Sequence, residues 1–129
     1  RTLFPYTTLF RSNIVKLPFL SLTTIVENSI KHAVEKKAVG GRIQVEAHED
    51  KGDLYIDIID DGDGISPAKI NSILRGDAYK NGKEGAVGIF NVNNRLIHYF
   101  GHDYALVIQS ENKPSFGTKV TIKVPLKYE

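Results

Sequence analysis

Apolar and polar residues alternate with period two from Leu54 onward: Leu54, Ile56 and Ile58 share one face, Tyr55, Asp57 and Ile59 the other. This pattern predicts a strand with one dry face. The next position in the dry register is Asp60, so a carboxylate reaches the edge of a buried surface, where an unpaired charge is costly. A donor has to meet it. The chain then breaks into Asp61-Gly62-Asp63-Gly64, whose two glycines let backbone come close to a flat group. Taken alone, the stretch reads equally as a strand ending in an ordinary Asp/Gly turn.

The flanking periods predict the remaining elements. Residues 13–17 are compatible with the tail of a strand, and Pro18 suits the first turn of a helix running to about residue 34 or 37. Phe19, Leu22, Val26, Ile30 and Ala33 recur at helical spacing as its core stripe. Thr24, Asn28, Lys31 and His32 make a second, polar stripe flanked by Glu27. By itself that stripe is a solvated face carrying a Glu27–Lys31 pair worth a few tenths of a kcal/mol. Gly40-Gly41 ends the helical region. Ile43, Val45 and Ala47 then alternate, residues 50–53 turn, and the strand that ends at Asp60 returns as a hairpin partner.

Ser66-Pro67 starts a short helix reaching about Leu74. Residues 75–84 are polar and aperiodic, with glycines at 76 and 82, and read as a mobile loop. Gly85-Ala86-Val87-Gly88 leads into a helix over residues 89–100, with Val92, Leu96 and Phe100 inward and Gly101 as its C-cap. Strands over 104–110 and 118–124 follow, joined by residues 111–117. Val120, Ile122 and Val124 oppose Lys119, Thr121 and Lys123, so the sheet has a dry and a wet face. The expected fold is an α/β (α+β) two-layer sandwich: a mixed, mainly antiparallel sheet with helices packed on one face.

Composition narrows the function classes. A chain of 129 residues, 41% hydrophobic and 25% charged, is one ordinary globular domain able to bury a core. The absence of cysteine removes disulfides and thiolate metal sites and favours an intracellular setting. The formal charge of +2 comes entirely from Arg1 and Arg11, so residues 13–129 are neutral. Nucleic-acid binding, which needs a basic face, is disfavoured. The apolar runs are too short to span a bilayer.

Residues 1–12 do not read as the start of a domain. Thr2 to Ser12 resembles the translation of a widely used DNA-sequencing adapter, and Pro5 and Tyr6 interrupt what would be a signal-peptide core. They are expected to be non-native. Residues 13–129 are then expected to be a domain lacking its first strand and an upstream domain.

Four pieces stand in fixed order: Glu27-Asn28-Ser29-Ile30-Lys31-His32, Asp60-Asp61-Gly62-Asp63-Gly64, Gly85-Ala86-Val87-Gly88 and Phe116-Gly117-Thr118. Each is weak alone. Together they resemble the GHKL ATPase superfamily over residues 14–126, and within it the catalytic ATP-binding (HATPase_c) domain of sensor histidine kinases whose N-box reads Glu-Asn-x-x-Lys-His.

The resemblance implies ATP and Mg2+ as ligands. It implies Asn28 as the magnesium ligand, its amide oxygen being a hard neutral donor, and Lys31 and His32 as phosphate contacts. Asp60 would accept the adenine amino proton, which guanine cannot offer. Gly62 and Gly64 would let the base lie against backbone. Residues 66–84 would form the ATP lid, with Gly85 and Gly88 presenting N–H groups to phosphate at a helix start. Asn91 would add a polar contact there, and Thr118 a hydroxyl sharing a water with Asp60. The nucleotide would lie between the two long helices and the lid.

Three positions depart from the pattern: Ala86 where this branch has glycine, Asp63 in place of proline or a small residue, and Ser115 in place of the first glycine of the third box. None removes a ligand. Hydrolytic members of the superfamily carry a glutamate four residues before the magnesium asparagine, where this chain has Thr24, which has no basic function at neutral pH. Glu27 is rotated about 100° from Asn28 and does not substitute.

The resemblance therefore implies γ-phosphoryl transfer to a histidine on a separate dimerisation (histidine phosphotransfer) domain, and onward to a response regulator, in two-component signalling. The expected setting is the cytoplasmic part of a membrane-bound sensor, with no nucleic-acid or membrane contact by this segment. Alternatives are a serine kinase of the anti-sigma type, an ATPase, or a nucleotide-binding interaction module without transfer activity. His48, His98 and His102 lack the flanking pattern of a phospho-acceptor.

Overall fold

The computed structural model describes residues 16–30, 41–80, 87–113 and 116–126. Four strands form one sheet: β1 (Ile43–Asp50), β2 (Asp53–Asp60), β3 (Val107–Lys113) and β4 (Phe116–Pro125), in the order β1-β2-β4-β3. All the pairings among the described residues are antiparallel, narrower than the mixed sheet expected. The hairpin turn at Lys51-Gly52 takes positive φ at both residues, the conformation that matches strand twist in a two-residue loop.

Alternation fixes which face is dry. Leu54, Ile56 and Ile58 of β2 and Val120, Ile122 and Val124 of β4 are buried, joined by Val45 of β1. The helices α1 (Lys16–Ser29), α2 (Pro67–Arg75) and α4 (Val87–Phe100) supply the other half of the core through Ile25, Ile73, Ile89, Val92 and Leu96. On the opposite face the pair Asp57–Thr121 closes a 2.6 Å hydrogen bond, hydroxyl donating to carboxylate, and His48 stacks on Tyr55.

The α2 boundaries follow local rules. Ser66 caps it, its Oγ accepting from Lys69 N at 3.1 Å, an interaction worth about 1 kcal/mol. Gly76 ends it at φ +76, and a Cβ there would lie 2.6 Å from the Phe90 ring.

Several expectations are corrected. Lys16 and Leu17 already belong to α1, so no strand tail reaches them, and Pro18 sits inside the first turn. Leu22 and Val26 of the expected α1 stripe pack against the core, but the most buried position is Ile25, with 0% exposure, and Ile30 is 37% exposed, so the stripe holds at Leu22 and Val26 and fails at Ile30. Residues 75–84 are not loop throughout: a single helical turn, α3 (Asp77–Lys80), follows Gly76. The helix α4 begins at Val87 rather than Ile89. Residues His102–Tyr104 form a 3-10 turn, so β3 starts only at Val107. The Tyr104 hydroxyl pins that turn to the sheet, donating to Asp53 Oδ1 at 2.7 Å. Residues 1–12, and Ala33 of the expected stripe, lie outside the described residues.

Candidate functional site

The antiparallel β2–β4 ladder sets Asp60 opposite Thr118. Both face the helices, and both are buried, Asp60 with 4% exposure. Three residues back on the same ladder, Asp57 opposite Thr121 repeats the chemistry on the outer face, where the two satisfy each other. The Asp60 pair opens onto a cavity. A cleft of about 330 Å³, open to solvent, is lined by Asp60, Thr118, Asn28 and Ser29, with apolar walls from Ile25, Ile65 and neighbouring residues of β3, β4 and α4.

The helix α1 brings its polar residues to the cleft. Asn28 donates through Nδ2 to the Thr24 carbonyl one turn back, at 3.1 Å. Its Oδ1 is left as a hard neutral acceptor, the donor type that magnesium takes alongside phosphates. Ser29, 5% exposed, lines the cleft beside it; the sequence reading gave it no role. Gly88, in the first turn of α4, lies against α1: a Cβ there would be 2.8 Å from Thr24 Cγ2 and 3.6 Å from Asn28 Nδ2. Glycine at 88 therefore lets the start of α4, whose first N–H groups have no partner within the helix, approach the Asn28 turn.

The loop after β2 is held by three separate ties. Gly62 N donates to Asp60 Oδ1 at 2.9 Å. Asp61 is occupied elsewhere: its Oδ1 accepts from Arg42 N at 2.9 Å, and its own N–H reaches the Arg42 carbonyl. Gly64 takes φ +84, and Ile65 N donates to Ser110 Oγ at 2.6 Å. Gly62 packs directly on Gly117, where a Cβ would come within 2.1 Å of the Gly62 carbonyl oxygen. The close backbone approach at Gly62 is thus made by β4.

Of the residues singled out from sequence, Asn28, Asp60 and Thr118 meet at one cleft. Gly62, Gly64 and Gly88 belong to the segments that shape it, and Asn91 is exposed on α4 and does not line it. Lys31, His32 and Gly85 lie outside the described residues. His48, His98 and His102 are exposed and away from the cleft. Sequence reasoning also missed Asn93, buried on α4, whose Oδ1 accepts from Leu106 N at 2.8 Å and fixes the entry to β3. A polar residue at an inward helical position was the only available signal. Among the described residues no helix is long and apolar enough to cross a membrane.

Comparison with known proteins places the chain in a family. The profile of the family described as "Histidine kinase-, DNA gyrase B-, and HSP90-like ATPase" matches residues 19–128. The chain is 36% identical over 111 residues to the Bacillus subtilis protein YwpD, covering 85% of this chain and 37% of YwpD. It is 33% identical over 114 residues to the sensor protein LytS of Bacillus subtilis, 88% of this chain against 18% of LytS. The sensor histidine kinase YesM of the same organism is 30% identical over 113 residues, again 88% against 18%. The chain thus spans well under half the length of these relatives.

Proposed function

Because the chain belongs to the family of histidine kinase-, DNA gyrase B- and HSP90-like ATPases, we propose that it binds Mg-ATP in the Asn28–Asp60 cleft. We propose further that, within a longer sensor kinase, it donates the γ-phosphoryl group to a histidine of a dimerisation domain, for passage to a response regulator. The observation that carries the reading is a buried carboxylate, Asp60, in a cleft whose other wall carries Asn28.

The roles follow from the chemistry of each position. Asp60 accepts the exocyclic amine of adenine in a charge-assisted hydrogen bond, while Gly62 N holds one of its oxygens in place. Thr118, beside it on the ladder, shares a water with it at the base. The apolar walls cover the faces of the purine. Asn28 would hold Mg2+ through Oδ1, and a bound ion would supply charge neutralisation for the phosphates. Gly88, with Gly85, offers N–H groups to phosphate at the start of α4, and Lys31 and His32 complete the phosphate contacts. Asn91, one turn along α4 from Gly88 and outside the cleft lining, would add a polar contact to the phosphates as they leave the cleft. Gly64 gives the loop the left-handed turn that seats Ile65 beside the base.

Transfer to a partner fits better than hydrolysis. Thr24, standing where a hydrolase would carry its base, packs its methyl against Gly88 and has no basic group to activate water. The upstream domain, the response regulator and a membrane-anchored full-length sensor belong to the same proposal, as does the assignment of residues 13–129 to this domain.

Calorimetric titration with ATP, ADP and GTP, with and without magnesium, tests it. Asp60→Asn should weaken ATP about ten- to a hundredfold, the worth of a hydrogen bond to a charged group, and shrink the preference over GTP. Equal affinity of wild type for ATP and GTP would refute the base-reading role.

A further inference from the structure

Across three strands the ladders set Asp60 beside Thr118 and Thr118 beside Ser110, a polar row on the helix-facing side of the sheet. Asp60 and Thr118 line the cleft, whereas Ser110 does not. Its hydroxyl is nonetheless engaged twice. It accepts from Ile65 N at 2.6 Å and donates to the Gly117 carbonyl at 2.8 Å. A serine hydroxyl has one proton to give, so the donor is used and one acceptor lone pair is filled. Both partners adjoin or belong to the cleft wall: Ile65 lines it, and Gly117 precedes Thr118. Just past Ser110 the β3–β4 register shifts, so the ladder itself no longer fixes the spacing there.

We propose that Ser110 is a positioning residue for nucleotide binding: its hydroxyl fastens the Asp60–Ile65 loop to the start of β4 and so sets the width of the base-binding end of the cleft. This rests on the ATP reading above. The loop needs such a fastening because its contact with β4 at Gly62 and Gly117 is backbone against backbone, with no side chain to interlock. Alanine at 110 leaves a loop N–H and a strand carbonyl without their partner. Threonine keeps the hydroxyl and suits a strand.

The test is calorimetric titration of the chain with Mg-ATP, adenosine and inorganic triphosphate, for wild type, Ser110→Ala and Ser110→Thr. Ser110→Ala, which removes both part-buried hydrogen bonds, is expected to raise Kd about tenfold for ATP and adenosine alike, since only part of their worth is felt at the base. Triphosphate binding should be unchanged, and Ser110→Thr should restore the wild-type affinities. General structural damage would instead lower triphosphate affinity too and would not be rescued by threonine. Should Ser110→Ala not fold, Ser110→Cys takes its place with the same expectations, and the Ile65 amide should exchange faster in the variant than in wild type. Unchanged adenosine affinity in a folded variant, beside a wild type that binds ATP, overturns this inference alone. A wild type that binds no adenine compound overturns the ATP reading and the inference together.

Discussion

Replacing Gly117 by alanine tests the packing on which the cleft depends. The added Cβ would lie 2.1 Å from the Gly62 carbonyl oxygen, 2.6 Å from its carbonyl carbon and 2.7 Å from its nitrogen. All three are backbone atoms, so no side chain can rotate away, and the loop itself must lift. The displaced nitrogen is the one that donates to Asp60 Oδ1, so the carboxylate loses its internal brace at the same time. Overpacking of a tight site costs about 1–3 kcal/mol, and a backbone clash belongs at the upper end, near 3 kcal/mol. For a domain of this size that lowers Tm by about 10 °C. Gly52→Ala is the control: Gly52 has φ +86 but nothing within 4 Å of an added Cβ, so it costs only backbone strain, about 1 kcal/mol. Thermal unfolding and ATP calorimetry on both variants separate the two effects. Gly117→Ala should lose both stability and at least about tenfold in ATP affinity; Gly52→Ala should lose some stability and keep its affinity. A Gly117→Ala variant that melts and binds like wild type would show that the loop does not rest on β4.

Three further outcomes follow from other parts of the molecule. Asn28→Ala should leave weak ATP binding that no longer responds to magnesium, read by titration with and without the ion. Tyr104 donates to the Asp53 carboxylate, which raises its pKa from 10.0 to about 12; the neutral phenol is the bonded form, so this contribution is complete below pH 10.0 and fades as pH climbs through about 12. Tyr104→Phe should therefore lower stability by about 1 kcal/mol at neutral pH and flatten the alkaline loss seen in unfolding curves against pH. The isolated chain incubated with Mg-ATP should acquire no phosphohistidine, since His48, His98 and His102 lie away from the cleft; acid-labile label on any of them would contradict this.

The most legible part of the sequence was β2, because strict alternation assigns each side chain to a face and carries the register one step further, to Asp60. The Ser66-Pro67 helix start was equally plain, being a local rule that tertiary packing had no reason to override. The phase of α1 was only partly legible. Leu22 and Val26, both in the expected stripe, turn inward with Ile25 and Ser29, but a serine in that line disguised it, and the apolar Ile30 pulled the end of the stripe off the core. Contact with α4 through Gly88 decides the rotation, and no pattern within α1 encodes that contact. Asn93 and Ser110 stayed hidden for a related reason: each answers a backbone group distant in sequence, Leu106 N and Ile65 N, whose need arises only once the fold exists. The start of β3 was placed too early because Tyr104 reads as a strand former, whereas its hydroxyl is spent holding a 3-10 turn to Asp53.

Antiparallel pairing makes the last residue of β2 and an early residue of β4 neighbours, although α2, α3, α4 and β3 separate them in sequence. One rung of main-chain hydrogen bonds thus acts as the ruler between Asp60 and Thr118. If the cleft takes ATP as proposed, insertions, deletions or grafts between residues 66 and 86 should change how the phosphate tail is handled and leave base selectivity, measured off that rung, unchanged.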